Sequence, residues 1–293
     1  MYSDLDTLVT SLYVSIDDLF TRLELRRGPG GPTQLSDSEL ACLAVAQVLL
    51  RCNSERRWHR FARTRLGHLF PYIPKQSGYN KRLRAAGPLL ALTLQHVAGL
   101  TPSACDSLRL LDSTPVPCGM SRETTKRSRL RSIANYGYCA SHSRYFWGMR
   151  LYIFTTADGI PVAWCLAEPK LGEREVAQAL LDGELLNGMV VVADKGFAGE
   201  FFEEFIRGLR ASFYRPDRLD EERRNGSLGW IRQRIESVIW TLKGQLGLES
   251  HGARTEAGLF ARVAQRLLAL TAAIWHNWEI DAPNKRSLLA YDH

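Results

Sequence analysis

The sequence predicts an all-helical N-terminal domain followed by an α/β domain built on a mixed sheet. Three observations predict it. Apolar residues recur at helical spacing through the first hundred residues. From about Ser107 onward, short β-branched and aromatic runs take over, two of them joined by Asp158-Gly159. After that hairpin, strand-like and helix-like segments alternate. The boundary is expected near residue 104, giving a helical domain over 1–104 and an α/β domain over 105–293.

In the helical domain, Leu5, Leu8, Leu12, Ile16, Leu19, Phe20 and Leu23 form one amphipathic stripe. A breaker-rich loop follows at 26–32. Ser36 and Glu39 form a capping box, in which a hydroxyl serves an orphan amide and a carboxylate reaches back. Next comes a basic aromatic segment, Arg56-Arg-Trp-His-Arg-Phe-Ala-Arg-Thr-Arg65, then prolines at 71 and 74. A further helix opens at Gln76 and runs towards Leu100. Arginines and lysines here suit DNA phosphates, with Tyr79, Asn80 or Arg82 as candidates near bases. A helical domain with a solvated basic face is the plainer alternative.

In the α/β domain, Leu108–Asp112 is long enough only for a strand. Trp147–Thr156 is a longer strand, and Asp158-Gly159 turns it into the return strand Ile160–Ala167. Glu173–Leu186 reads as a helix. Met189–Asp194 is a β-branched run of the kind buried on both faces. A helix over 199–209, a short strand over 211–215, an exposed loop over 217–229 and a last amphipathic helix complete the order. The expected sheet is a three-stranded antiparallel meander plus two parallel strands with flanking helices. Right-handed crossovers place the Val190–Ala193 strand parallel to and beside Leu108–Leu111.

Composition narrows the function. The formal charge is +7 and the pI about 9.2, which favours a polyanionic partner. Six scattered cysteines without a C-x-x-C pair read as reduced cytosolic thiols. The acidic N-terminus lacks a signal-peptide pattern, and no membrane span is expected. Gly28-Pro-Gly-Gly31 lacks the Gly-Lys-Ser/Thr of a P-loop, and no credible Ser/His/Asp set is present.

What remains is a set of acids. Asp112 and Asp194 each end a strand, and the two strands are expected side by side at the crevice where such sheets hold ligands. Ile231, Ile235, Val238 and Leu242 pin the last helix by one side. Arg232, Glu236 and Lys243 project about 100–140° around from that stripe. Alone, this is either a surface ion-pair ladder or a site. Three carboxylates in one pocket repel by roughly 4 kcal/mol per pair at about 4 Å and an effective dielectric of 20. Mg²⁺ removes that cost, and two such ions can serve an in-line phosphoryl displacement. Lys195, Arg232 and Lys243 stand ready for phosphates. A basic insertion over 119–145 carries Lys126, Arg127, Arg129 and Arg131, with Tyr136, Tyr138 and Tyr145 among its cations. Such a mixture suits a phosphate backbone and unstacked bases. A mobile loop with a solvated basic face is the alternative.

Four motifs in order then become recognisable. Leu111-Asp-Ser-Thr-Pro-Val116, Tyr136-Gly-Tyr-Cys-Ala-Ser141, Ala193-Asp-Lys-Gly-Phe197 and Arg232-x-x-x-Glu236, followed seven residues on by Lys243, resemble bacterial insertion-sequence transposases of the DDE type. The branch they most resemble is the insertion-sequence family numbered nine-eight-two. The resemblance implies an RNase H-like core with Asp112, Asp194 and Glu236 as the catalytic, metal-binding triad. It implies Mg²⁺ (two ions, with Mn²⁺ as substitute), hydrolysis at transposon ends, and attack of the freed 3′ hydroxyl on target DNA. The expected partners are terminal inverted repeats, target DNA and further copies of the chain, as a dimer or larger on DNA. The expected location is the bacterial cytoplasm, at the nucleoid. In related transposases a Tyr stands three residues before the signature Arg; here that position is Gly229. Two other readings stay open: an RNase H-like nuclease that cuts without joining, and an inactive DNA-binding relic.

Overall fold

The computed structural model describes residues 4–23, 33–139, 143–217 and 228–291. The expected loops at 26–32 and 217–229 fall largely outside the described residues. In chain order the helices are α1 (Leu5–Arg22), α2 (Asp37–Leu49), α3 (Glu55–Arg65), α4 (Gln76–Ala85) and α5 (Gly87–Gly99). Then come β1 (Leu108–Gly119), α6 (Arg122–Arg127), β2 (Asn135–Cys139), β3 (Arg144–Thr156) and β4 (Pro161–Ala167). The remainder is α7 (Glu173–Leu181), β5 (Val190–Ala193), α8 (Glu200–Gly208), β6 (Ser212–Tyr214), α9 (Gly229–Trp240) and α10 (Glu256–Glu279).

The chain forms two compact units, one of residues 1–101 with 242–293, the other of residues 102–241. The sequence expectation had carried the α/β domain on to residue 293. The structure instead gives the last fifty residues to the helical unit. The reason is α10, which is buried on nearly every side and packs against α1, α2, α4 and α5. It is long and apolar enough to cross a membrane, yet 83% of its most apolar window is covered by protein.

Within the helical unit, local signals behave as their chemistry demands. Ser36 Oγ accepts the Glu39 amide at 3.0 Å and the Glu39 carboxylate accepts the Ser36 amide at 2.5 Å. The helix expected from Gln76 to Leu100 divides at Gly87-Pro88, because Pro88 belongs in a first turn. Tyr79 is fully buried with its hydroxyl 3.5 Å from Gln47, and Arg82 is bound to Leu35, Ser36 and Asp37. Neither is presented to bases, which corrects their candidacy.

In the sheet unit the strand order is β2-β3-β1-β5-β6, with β4 also on β3. β1–β3 and β3–β4 are antiparallel, while β1–β5 and β5–β6 are parallel. This is the expected meander plus two parallel strands, the RNase H-like arrangement. Gly159 takes the positive φ (86°) that the β3–β4 turn requires. Two expectations change. β1 runs on to Gly119, so Asp112 lies within the strand and not at its end. The segment 119–145 is largely ordered: it holds α6 and the strand β2, which pairs with β3 from Asn135↔Gly148 to Cys139↔Arg144.

The two faces of the sheet differ. Leu111, Tyr152, Phe154, Val191 and Ala193 pack with Val176, Ala177, Phe202 and Ile206 from α7 and α8. Alternate residues point the other way, so Leu110, Asp112, Ile153 and Val192 face the side on which α9 packs against β1 and β5.

Candidate active site

β1 and β5 run parallel from Leu108↔Val190 to Leu111↔Ala193. The next residue in each strand direction is an aspartate. Asp112 and Asp194 therefore sit side by side, on strands about 4.8 Å apart and on the α9 face. Asp112 Oδ1 accepts the Ser113 amide at 2.7 Å, and Asp194 Oδ1 accepts the Lys195 amide at 2.7 Å. Each carboxylate is thus fixed by the backbone that follows it.

α9 supplies the third acid. Ile235 and Val238 are its buried residues, which turns Glu236 outward. Arg232, one turn earlier, reaches both groups: Nη2 lies 3.3 Å from Asp194 Oδ1 and 3.2 Å from Glu236 Oε1. Asp112 is half-buried, and the surrounding protein strips most water from its carboxyl. That desolvation pushes it from 3.8 up to about 7; Asp194 and Glu236 raise it further, while the Ser113 amide and Arg232 oppose. All four groups share one electrostatic neighbourhood.

The chemistry of this donor set fits a hard divalent cation: three carboxylates, one of them raised mainly by desolvation and further by the other two. Among the described residues, no three of His, Cys, Asp and Glu stand at metal-ligand spacing. The guanidinium occupies the position between Asp194 and Glu236.

Other expected residues are distributed as follows. Lys195 is exposed in the short turn after Asp194. Lys126 and Arg127 lie on α6, each within 4 Å of Glu123 (3.3 and 3.8 Å), and Arg129 and Arg131 lie exposed in the next turn. Lys243 departs from its projection. The regular helix ends at Trp240 and residues 241–245 form a π-turn, so the helical angle does not carry through to it. Its ammonium pairs with Glu249 at 3.3 Å, within the helical unit.

One residue escaped the sequence reading. Arg150, in β3, forms a close ion pair with Glu173, lies 3.3 Å from Ser113 Oγ and donates to the Tyr138 carbonyl at 3.2 Å. It ties the residue after Asp112 to β2 and to the start of α7. The available signal was a lone cation inside the apolar run Trp147–Thr156.

The model of the transposase DDE domain family matches residues 103–272, more than half of the chain. The chain belongs to the DDE transposase family. Members are transferases of the polynucleotidyl type that use divalent metal ions. Among solved structures, a piggyBac transposase synaptic complex with hairpin DNA is similar at 9% identity and a TM-score of 0.48, over 99% of this chain and 78% of that one. No curated protein sequence matches.

Proposed function

We propose that this DDE transposase mobilises an insertion sequence, using Asp112, Asp194 and Glu236 to hold Mg²⁺, or Mn²⁺ in its place. It hydrolyses DNA at the transposon's inverted repeats and then transfers the 3′ hydroxyl into target DNA. The observation that carries this reading is the β1–β5 register, which sets two aspartates abreast beneath the helix that bears Glu236. When bound, two divalent ions activate the attacking oxygen and stabilise the leaving one. The chain's own part is to position. Asp112 and Asp194 are fixed by their neighbouring amides. Arg232 leaves the acids and turns its guanidinium to a phosphate, to which it is suited by its planar fork. Lys195 offers a second cation beside the scissile phosphate, and Lys126, Arg127, Arg129 and Arg131 follow the backbone further out. Lys243 is held by Glu249, and its phosphate role requires that pair to open. The motif order resembles that of the nine-eight-two branch. Joining two ends calls for at least two protomers.

The test is strand-mapped cleavage and joining of the DNA that flanks the reading frame, in Mg²⁺. Asp112→Asn, Asp194→Asn and Glu236→Gln should each lose activity on the order of a hundredfold or more, since each removes several kcal/mol of charge stabilisation. End binding should survive. Wild-type cleavage by any of the three would sink the triad. Nicked ends that never join would point to the nuclease reading.

A further inference from the structure

We infer that the outer face of the β2–β3 ribbon is a stacking platform for unpaired nucleotides of the DNA substrate. The inference rests on the proposed transposase function and adds a site to it. Tyr136, Tyr138 and Tyr145 are 51%, 47% and 78% exposed. Tyr138 and Tyr145 are direct cross-strand partners, with ring centroids 5.0 Å apart and planes inclined at 53°. Tyr136 lies two residues from Tyr138 and so on the same face. Its hydroxyl is 3.5 Å from Thr125 on α6. The ribbon's other face is committed to packing: a side chain at Gly137 would collide with Phe146 and Pro169. Three rings are therefore held outward by a ribbon whose back is fixed.

Charge selects the occupant. Residues 120–139 hold five cations (Arg122, Lys126, Arg127, Arg129 and Arg131) against one acid, Glu123. A polyanion with exposed π-faces matches rings flanked by cations, and single-stranded DNA is such a polyanion. A duplex offers the phosphates but keeps its bases stacked. The ladder also shares the sheet face of Asp112, because Tyr145 and Ile153 are both odd-numbered positions of β3 and Ile153 pairs with Asp112. Eight residues of strand separate the two levels, about 26 Å at 3.3 Å per residue. That is about eight nucleotide steps at the duplex rise of about 3.4 Å, and fewer for an extended unpaired strand. The bases held here are thus not the scissile ones. They belong to a strand that passes the active site and is unpaired some distance beyond it. Arg150 links the two places, since it donates to the Tyr138 carbonyl and contacts Ser113.

The experiment compares binding of the full chain to a short oligothymidylate and to a mixed-sequence duplex at one salt concentration. Wild type should bind both. Tyr138→Ala/Tyr145→Ala should weaken oligothymidylate binding by roughly tenfold or more and leave duplex binding within about twofold. Tyr138→Phe/Tyr145→Phe should restore it, because the π-face is kept. Lys126→Ala/Arg127→Ala should weaken both forms alike and flatten the salt dependence. Unchanged oligothymidylate binding by the alanine variant would overturn the inference, as would a parallel loss on duplex. So would a change confined to sedimentation, which would make the face a contact between copies of the chain. Duplex binding without oligothymidylate binding by wild type would defeat the platform alone. Failure to bind either would defeat the transposase reading with it.

Discussion

Replacing Asp112 by Asn should stabilise the metal-free protein at alkaline pH while destroying its response to divalent ions. The native carboxyl titrates near 7 against an ordinary value of 3.8. A folded-state value above the unfolded one means that the fold prefers the protonated form. The group's contribution is fully present below the unfolded value and is lost as pH rises through about 7. At roughly 1.4 kcal/mol per decade, the full penalty at pH 8 is about 4 kcal/mol. Asp112 keeps some solvent access, which cuts this to about 2 kcal/mol. Asparagine removes the charge and still accepts the Ser113 amide through Oδ1. The variant should therefore melt about 4–8 °C above wild type at pH 8, at about 2–4 °C per kcal/mol for a domain of this size. Below about pH 4, where the carboxyl is protonated in both states, the two should nearly coincide. Mg²⁺ should raise the wild-type melting temperature at pH 8 and leave the variant's unmoved. Calorimetry at the two pH values, with and without Mg²⁺, checks each limb. A variant less stable than wild type at pH 8, or a gap independent of pH, would show that the carboxyl is not desolvated as described.

Two further outcomes are expected. In the helical unit, Glu55 pairs closely with Arg262, beside a buried Arg266 whose guanidinium is pushed down to about 9 mainly by desolvation. Glu55→Gln would leave two cations with no counter-charge from Glu55, and denaturant titration should find a loss of about 3 kcal/mol; a loss under about 1 kcal/mol would show that the pair is solvated. Arg232→Gln should lower the stability of the metal-free protein modestly, by about 1 kcal/mol or less for a partly exposed pair, read as a lower melting temperature. Added Mn²⁺ should recover that loss, and a variant that Mn²⁺ cannot rescue would count against a shared cation position.

The strands that the sequence reveals are those whose chemistry is uniform. Val190–Ala193 reads as buried because it is buried, and Asp158-Gly159 reads as a turn because a positive φ is needed there. β1 runs beyond the expected Leu108–Asp112 through Pro115 and Pro117, which cannot donate to a ladder. The structure shows why they are tolerated. The β5 partner ends opposite Leu111, so beyond that point β1 has a free edge on one side and its prolines need only satisfy β3. β2 was illegible for a related reason: Asn-Tyr-Gly-Tyr-Cys has no apolar alternation, since its outward face is tyrosine and its inward face is Asn135, Gly137 and Cys139. The two aspartates were legible because right-handed crossovers set the two strands side by side and parallel, each run ending in an aspartate. The fate of Lys243 was not, because a π-turn is a five-residue departure that periodicity cannot announce. Nor was the membership of α10, whose partners lie more than 150 residues earlier in the chain.

Arg232 explains how converging acids persist in a folded chain that must exist before it meets a metal. Asp112, Asp194 and Glu236 repel one another, and Asp112, raised mainly by desolvation, is raised further by the other two. A single guanidinium within 3.3 Å of both Asp194 and Glu236 offsets part of that repulsion. Because it rises from the same helix as Glu236, shifting α9 would carry acid and cation together and separate neither. Rotation of the arginine side chain alone does separate them. The side chain is long and partly exposed, so this costs little beyond the ion pairs themselves. In the function proposed above, an incoming DNA phosphate would compete for the guanidinium, and one residue would then couple substrate entry to the freeing of the carboxylates.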